Sequence, residues 1–100
     1  MSERKYKFKS VVCLYPGMAG WHFIYLPKKE SREIKERFGK NARGWGSLPV
    51  MVNVGKTSWK TSIFPDKKSE TYLLPLKKEV RVKEGMFDKD IKVFTLQIRA

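Results

Sequence analysis

The nine residues Thr57–Pro65, Thr-Ser-Trp-Lys-Thr-Ser-Ile-Phe-Pro, hold four hydroxyl side chains, a lysine and a tryptophan. On a strand, side chains alternate between faces, so Ser58, Lys60, Ser62 and Phe64 point one way and Thr57, Trp59, Thr61 and Ile63 the other. Lys60 and Ser62 are then same-face neighbours, about 7 Å apart at the backbone, which suits a base and its nucleophile. A Ser–Lys dyad needs the lysine deprotonated by burial and an oxyanion site beside it, and no pattern in the sequence supplies either. Hydroxyls also serve as cross-strand partners in sheets, so the stretch reads equally as the solvent side of a β-ribbon. Catalysis is therefore the least favoured reading and no catalytic residue is assigned. Trp59 is expected in the core rather than as a ligand platform.

Other chemistries find less support. Gly55-Lys56-Thr57-Ser58 mimics the end of a phosphate-binding P-loop, but the earlier glycine is replaced by Val50 and the stretch sits in a hairpin, not before a helix. His22 and Cys13 are the sole residues of their types and match no zinc spacing, so neither metal nor cofactor is expected. The ten acidic residues form no paired-carboxylate motif. What survives is a set of basic and aromatic groups at expected loops and helix starts: Arg43, Trp45, Lys60, Lys77 and Arg81, with Trp59 and Ser62 beside them. Arginine can fork onto phosphate or carboxylate and tryptophan can stack on a ring. The opposing structural reading has Trp45 plugging one end of the fold and the charges simply solvated.

The net charge is +12, from 22 basic and 10 acidic residues, and both halves of the chain carry eleven basic groups. The folded surface itself is then positive, which favours nucleic acid, acidic partners or anionic ligands at low salt. One hundred residues make one domain, 1–100, with a modest core. The single cysteine fits a reducing compartment, and the charged start of the chain lacks the apolar stretch of a signal peptide. No run approaches the roughly 20 apolar residues of a membrane helix. The expectation is a cytoplasmic monomer.

Strands must position these groups. Lys5–Leu14 alternates, with Tyr6, Phe8, Val12 and Leu14 on one face and lysines on the other. A loop over residues 15–20 leads to a second strand, Trp21–Leu26, ended by Pro27. Ser31–Gly39 reads as a helix capped by Ser31 and closed by Gly39 in a left-handed conformation, with Ile34 and Phe38 as its apolar stripe. Leu48, Val50, Val52 and Val54 make a third strand. Gly55-Lys56 fits a type II′ turn that folds Thr57–Pro65 back as a fourth. Thr71–Leu74 is a short fifth strand, Lys77–Glu84 a helix ended by Gly85, and Ile91–Ile98 the sixth. Such a series predicts a mainly all-β domain, a small closed six-stranded β-barrel with one or two short helices. The run Leu-Pro-Lys-Lys-Glu-Ser-Arg-Glu-Ile-Lys-Glu from Leu26 is echoed by Leu-Pro-Leu-Lys-Lys-Glu-Val-Arg-Val-Lys-Glu from Leu74, as if the domain were two similar halves around one core.

The spaced motifs Gly44-Trp45-Gly46, Gly55, Trp59-Lys60-Thr61-Ser62, Phe64-Pro65, Leu74-Pro75, Lys77, Val80-Arg81 and Asp90 resemble those of the domain-of-unknown-function family nineteen-oh-five. The likeness covers nearly the whole chain. It implies a double-split β-barrel of the architecture shared with AbrB- and MazE-like proteins, sometimes fused to a YdeI/OmpD-associated-like domain, and it implies no known activity. That pattern carries Gly-Asp before the last strand, where this chain has Lys89-Asp90. The combined expectation is a non-catalytic module binding an anionic ligand or partner, nucleic acid being the most testable case. The alternative is an accessory domain holding a small molecule in a barrel-end pocket around Trp45 and Trp59.

Overall fold

A computed structural model describes residues 5–15 and 21–100, and most of the loop expected over 15–20 lies outside the described residues. The chain runs β1 (Lys5–Val11), β2 (Cys13–Leu14), β3 (His22–Tyr25), α1 (Lys28–Phe38), β4 (Leu48–Val54), β5 (Thr57–Asp66), β6 (Thr71–Leu76), α2 (Lys78–Glu84) and β7 (Ile91–Ile98). The strands form one antiparallel sheet in the order β1-β7-β4-β5-β6-β3-β2, curled as a half-barrel with the two helices against it.

Period two decides what is buried. In β4, Leu48, Val50, Val52 and Val54 are buried while Pro49, Met51 and Asn53 are half-buried. In β5, Trp59 and Ile63 are buried and Lys60 is exposed. Ile24, Leu74, Phe94 and Leu96 join them in a single apolar core. Removing this surface from water is the main stabilising term of a sheet this small.

The first strand departs from the expected six. One segment was expected over Lys5–Leu14, but its ladder breaks at Val12: β1 pairs with β7 and β2 pairs with β3. Seven strands result, and the sheet order has two ends rather than none. Val12 bonds to neither partner strand. Its N–H donates to the carbonyl of Asp90 at 2.8 Å, and its carbonyl accepts from Lys89 N–H at 2.7 Å. The side-chain alternation fails just beyond this point, so Leu14 is exposed rather than inward.

Helix α1 starts three residues earlier than expected. Pro27 occupies the N-cap with extended backbone and no side-chain cap, a position where a missing N–H costs nothing. Ser31 is not the cap. It is buried inside the helix, where its Oγ accepts the Tyr72 N–H at 3.2 Å and ties α1 to β6. Ser31, Ile34 and Phe38 make the buried stripe. Gly39 closes α1 in right-handed conformation and continues into a 3-10 turn, Gly39–Asn41, so the expected left-handed cap is absent there. Gly85, in contrast, does cap α2 with φ of 60°. At the β4–β5 turn Gly55 has φ of 57° and Lys56 does not share the positive φ, as type II′ requires.

The echo in the sequence has a counterpart in the pairing. Ile24 pairs with Leu74, 50 residues on, at the centre of β3–β6. Val52 pairs with Leu96, 44 residues on, at the centre of β4–β7. Each half runs a strand into a short basic helix and then a turn holding one non-glycine residue at positive φ, Trp45 (64°) and Lys89 (76°), again 44 apart. The bond from Gly46 N–H to the Arg43 carbonyl has its twin in Asp90 N–H to Phe87. The two halves are thus related by a pseudo-two-fold axis through these strand pairs.

Candidate functional site

Four of the seven sequence-predicted site residues meet at one cleft of about 530 Å³. The inward turn of β5 places Trp59 at its base, 8% exposed, and the next residue, Lys60, in solvent. Strand β6 ends at Leu76, and Lys77 then adopts extended backbone (φ −73°, ψ 156°) as the N-cap of α2. Because α2 buries Val80, Lys77 and Lys78 face outward, both exposed. Arg81 lies one turn beyond Lys77, and its Nε donates to the Leu76 carbonyl at 3.3 Å, which holds it at the strand end. Pro75, Thr61 and Trp21 also line it.

The arrangement concentrates positive charge over an aromatic base. Lys60, Lys77, Lys78 and Arg81 converge, and among the described residues no carboxylate forms an ion pair with any of the three lysines. Like charges held together repel one another, so an entering anion gains more than it would from an isolated lysine. The cleft volume lies in the range of about 300–1,000 Å³ usual for ligand sites.

Trp21 and Lys78 were not anticipated. Lys78 follows Lys77 in a basic doublet, a signal that was available. Trp21 is brought in by the β3–β6 pairing, which no local pattern announces.

Arg43, Trp45 and Ser62 are not brought to the cleft. Trp45 neither plugs the fold nor lines a pocket with Trp59; it stands 93% exposed on a 3-10 turn, Gly44–Gly46. That turn lies against the far end of β5, where a Cβ added to Gly46 would come 2.9 Å from Pro65 Cγ. Arg43 is exposed just before it. Ser62 sits half-buried opposite Pro49 in β4. With Lys60 in solvent and Ser62 outside the cleft, no desolvated dyad is assembled.

A second cleft, of about 440 Å³, opens beside β1 and the β3–α1 junction. It is lined by residues 9–11, Cys13, residues 25–28 and Thr71. Lys9 and Lys28 supply its charge and Tyr25 its ring. Burial pushes the Cys13 thiol above its ordinary value of 9.0, with the Asp88 carboxylate adding to the rise. Both effects disfavour a reactive thiolate. Among the described residues no group of three His, Cys, Asp or Glu gathers as a metal site, and no helix is long and apolar enough to cross a membrane.

The model of a protein family described as Domain of unknown function (DUF1905) matches residues 8–94. No curated protein matches the chain.

Proposed function

Since the chain belongs to the DUF1905 family, whose description assigns no activity, we propose from the cleft itself that the protein is a non-catalytic module binding an anionic ligand or partner. The observation that carries this reading is the convergence of Lys60, Lys77, Lys78 and Arg81 above the Trp59 indole. Lysines act there as point charges, Arg81 as an oriented fork, and the indoles as surfaces for a flat group. Nucleic acid fits the distributed +12 charge. A compact phosphorylated or carboxylated small molecule fits the cleft volume.

On this reading the half-barrel is a closed double-split barrel of the AbrB- and MazE-like kind. Support comes from β1 and β2, one segment whose two parts bond to opposite ends of the sheet order. Ser10 Oγ adds a bond to the Tyr25 carbonyl at 2.6 Å, from β1 to β3. One chain supplies both pseudo-symmetric halves, which favours a monomer, and the lone cysteine favours the cytoplasm.

Titration with inorganic tripolyphosphate and with labelled single- and double-stranded DNA and RNA, at two salt concentrations, tests the cleft. Saturable binding that weakens with salt is expected. The variant Lys60→Ala/Lys77→Ala/Lys78→Ala should lower the salt slope by about 2–3. Absence of binding at low salt, or an unaltered triple variant, would sink the reading.

A further inference from the structure

The outer face of β3 carries a row of aromatic side chains that belongs to no core. Ile24 points inward and is fully buried, so Trp21, Phe23 and Tyr25 share the opposite face. Their ring centroids lie 5.3 Å apart for Trp21–Phe23 and 5.2 Å for Phe23–Tyr25. Tyr15 sits edge-on to Trp21 at 5.2 Å and 6.0 Å from Phe23. Phe23 is covered by these rings and stands outside the core cluster, whereas Tyr15 and Tyr25 are about two-fifths exposed. Tyr25 pairs with Leu73, and Leu73 with the exposed Phe64, which extends the apolar row across β6 to β5.

The row joins the two clefts. Trp21 lines the first and Tyr25 the second. From Trp21 to Tyr25 the strand advances about 13 Å, a length that an extended strand of a few nucleotides covers. Lysines stand at both ends: Lys60, Lys77 and Lys78 with Arg81 at one, Lys9 and Lys28 at the other. Cations flanking a row in which Tyr15 and Tyr25 are exposed and Trp21 is half-buried are complementary to a polymer with anionic links and flat side groups.

We propose that the anionic partner is a single-stranded nucleic acid, laid along the outer face of β3 from one cleft to the other. Its phosphates meet the lysines, and its bases lie against Trp21, Tyr25 and Tyr15. This rests on the anion-binding reading of the first cleft and adds to it the identity of the ligand and a second point of attachment. Rings on a sheet face reach bases only when those bases are unpaired. A duplex hides its base faces and offers only phosphates. Stacking is also tolerant of base identity, so little sequence preference is expected.

The test compares three labelled ligands at low salt: hexathymidylate, an abasic hexamer with the same phosphates, and a duplex closed by a hairpin loop so that it stays paired. The Trp45→Phe background removes the exposed indole, so that quenching reports Trp21 and Trp59. Hexathymidylate should bind and quench, with the abasic strand and the duplex each at least about tenfold weaker, the scale of one stacked base. Tyr25→Ala should weaken hexathymidylate about fivefold or more without changing the abasic strand, and Tyr25→Phe should restore it. Circular dichroism and melting confirm that the variant folds; should it not, Tyr15→Ala replaces it with the same expectation. Equal binding of the abasic strand or the duplex, or indifference to the tyrosine substitution, overturns the track and leaves the cleft intact. If hexathymidylate does not bind but tripolyphosphate does, the track again falls alone. If none of them binds, the cleft reading falls with it.

Discussion

Replacing Lys89 by glycine should make the protein more stable. Lys89 holds φ of 76° in the turn before β7, a region that costs an L-residue about 1–2 kcal/mol. Its backbone cannot relax, because its N–H bonds to the Val12 carbonyl at 2.7 Å and its neighbour Asp90 bonds to Val12 N–H. Phe87 N–H to the Asp90 carboxylate at 2.8 Å fixes the turn from the other side. Glycine keeps all of these main-chain bonds and relieves the strain. It also gains unfolded-state freedom that offsets about 0.4–1 kcal/mol. The net is a stabilisation of about 0.5–1 kcal/mol, which for a domain this size raises Tm by about 2–8 °C. Thermal and urea melts of the wild type, Lys89→Gly and Lys89→Ala at one salt concentration make the assay. Alanine removes the same charge and side chain but keeps the strain, so it controls for relief of charge repulsion. A Lys89→Gly protein no more stable than Lys89→Ala would refute the reasoning. Trp45, at the pseudo-equivalent position and almost fully exposed, should respond to glycine in the same direction.

Three further outcomes follow from single contacts. Ser31→Ala leaves the Tyr72 N–H without its acceptor inside the core, and a loss of about 1–2 kcal/mol is expected in urea unfolding; a neutral result would mean that the α1–β6 tie is not a bond in solution. Gly55→Ala should destabilise by at least about 1 kcal/mol, since φ of 57° is unfavourable to alanine and the new Cβ would run into the Glu84 carboxylate. That carboxylate also accepts from Thr57 Oγ1 at 2.6 Å, so Glu84→Ala should destabilise too, while in the double variant the steric part of the Gly55→Ala cost disappears. Finally, burial raises the Tyr72 hydroxyl above its ordinary value of 10.0. Its neutral form is the one favoured by folding, so its contribution is fully present below pH 10 and lost as pH rises through the higher folded-state value. Stability followed by denaturant melts should be flat with respect to this group from pH 7 to 9 and fall above 10, less steeply in Tyr72→Phe.

Much of the scaffold was legible because alternation is a local property. The bounds of β4 and β7, the start of β5, the Gly55 turn and the Gly85 cap all follow from residues within a few positions of one another. The break at Val12 was not legible: the apolar face of Tyr6 and Phe8 resumes at Val12 and Leu14 after Ser10 alone, and the cause is a turn nearly 80 residues away that takes both of the Val12 main-chain groups. Ser31 misled for a similar reason. Its residue type suits a cap, but its position on the buried stripe commits it to β6. The cleft was half legible. Basic residues at the start of α2 and the β5 run announced themselves, whereas Trp21 depended on which strand lies beside β6. Trp45 was read by type as a plug or a platform, and its place on a two-glycine turn puts it in water instead.

The pairing of β1 with β7 sets an order of events when the chain is made. Lys5 emerges first, and Gln97, its partner in the ladder, about ninety residues later. Until then the lysine-edged strand has no companion on that side, and the seam at Val12 cannot be fastened. A topology so dependent on distant pairings folds slowly for its size, on a scale of milliseconds to seconds. Alternating lysines along β1, exposed at Lys5, Lys7 and Lys9, give that waiting edge a charge that discourages it from joining a neighbouring nascent chain.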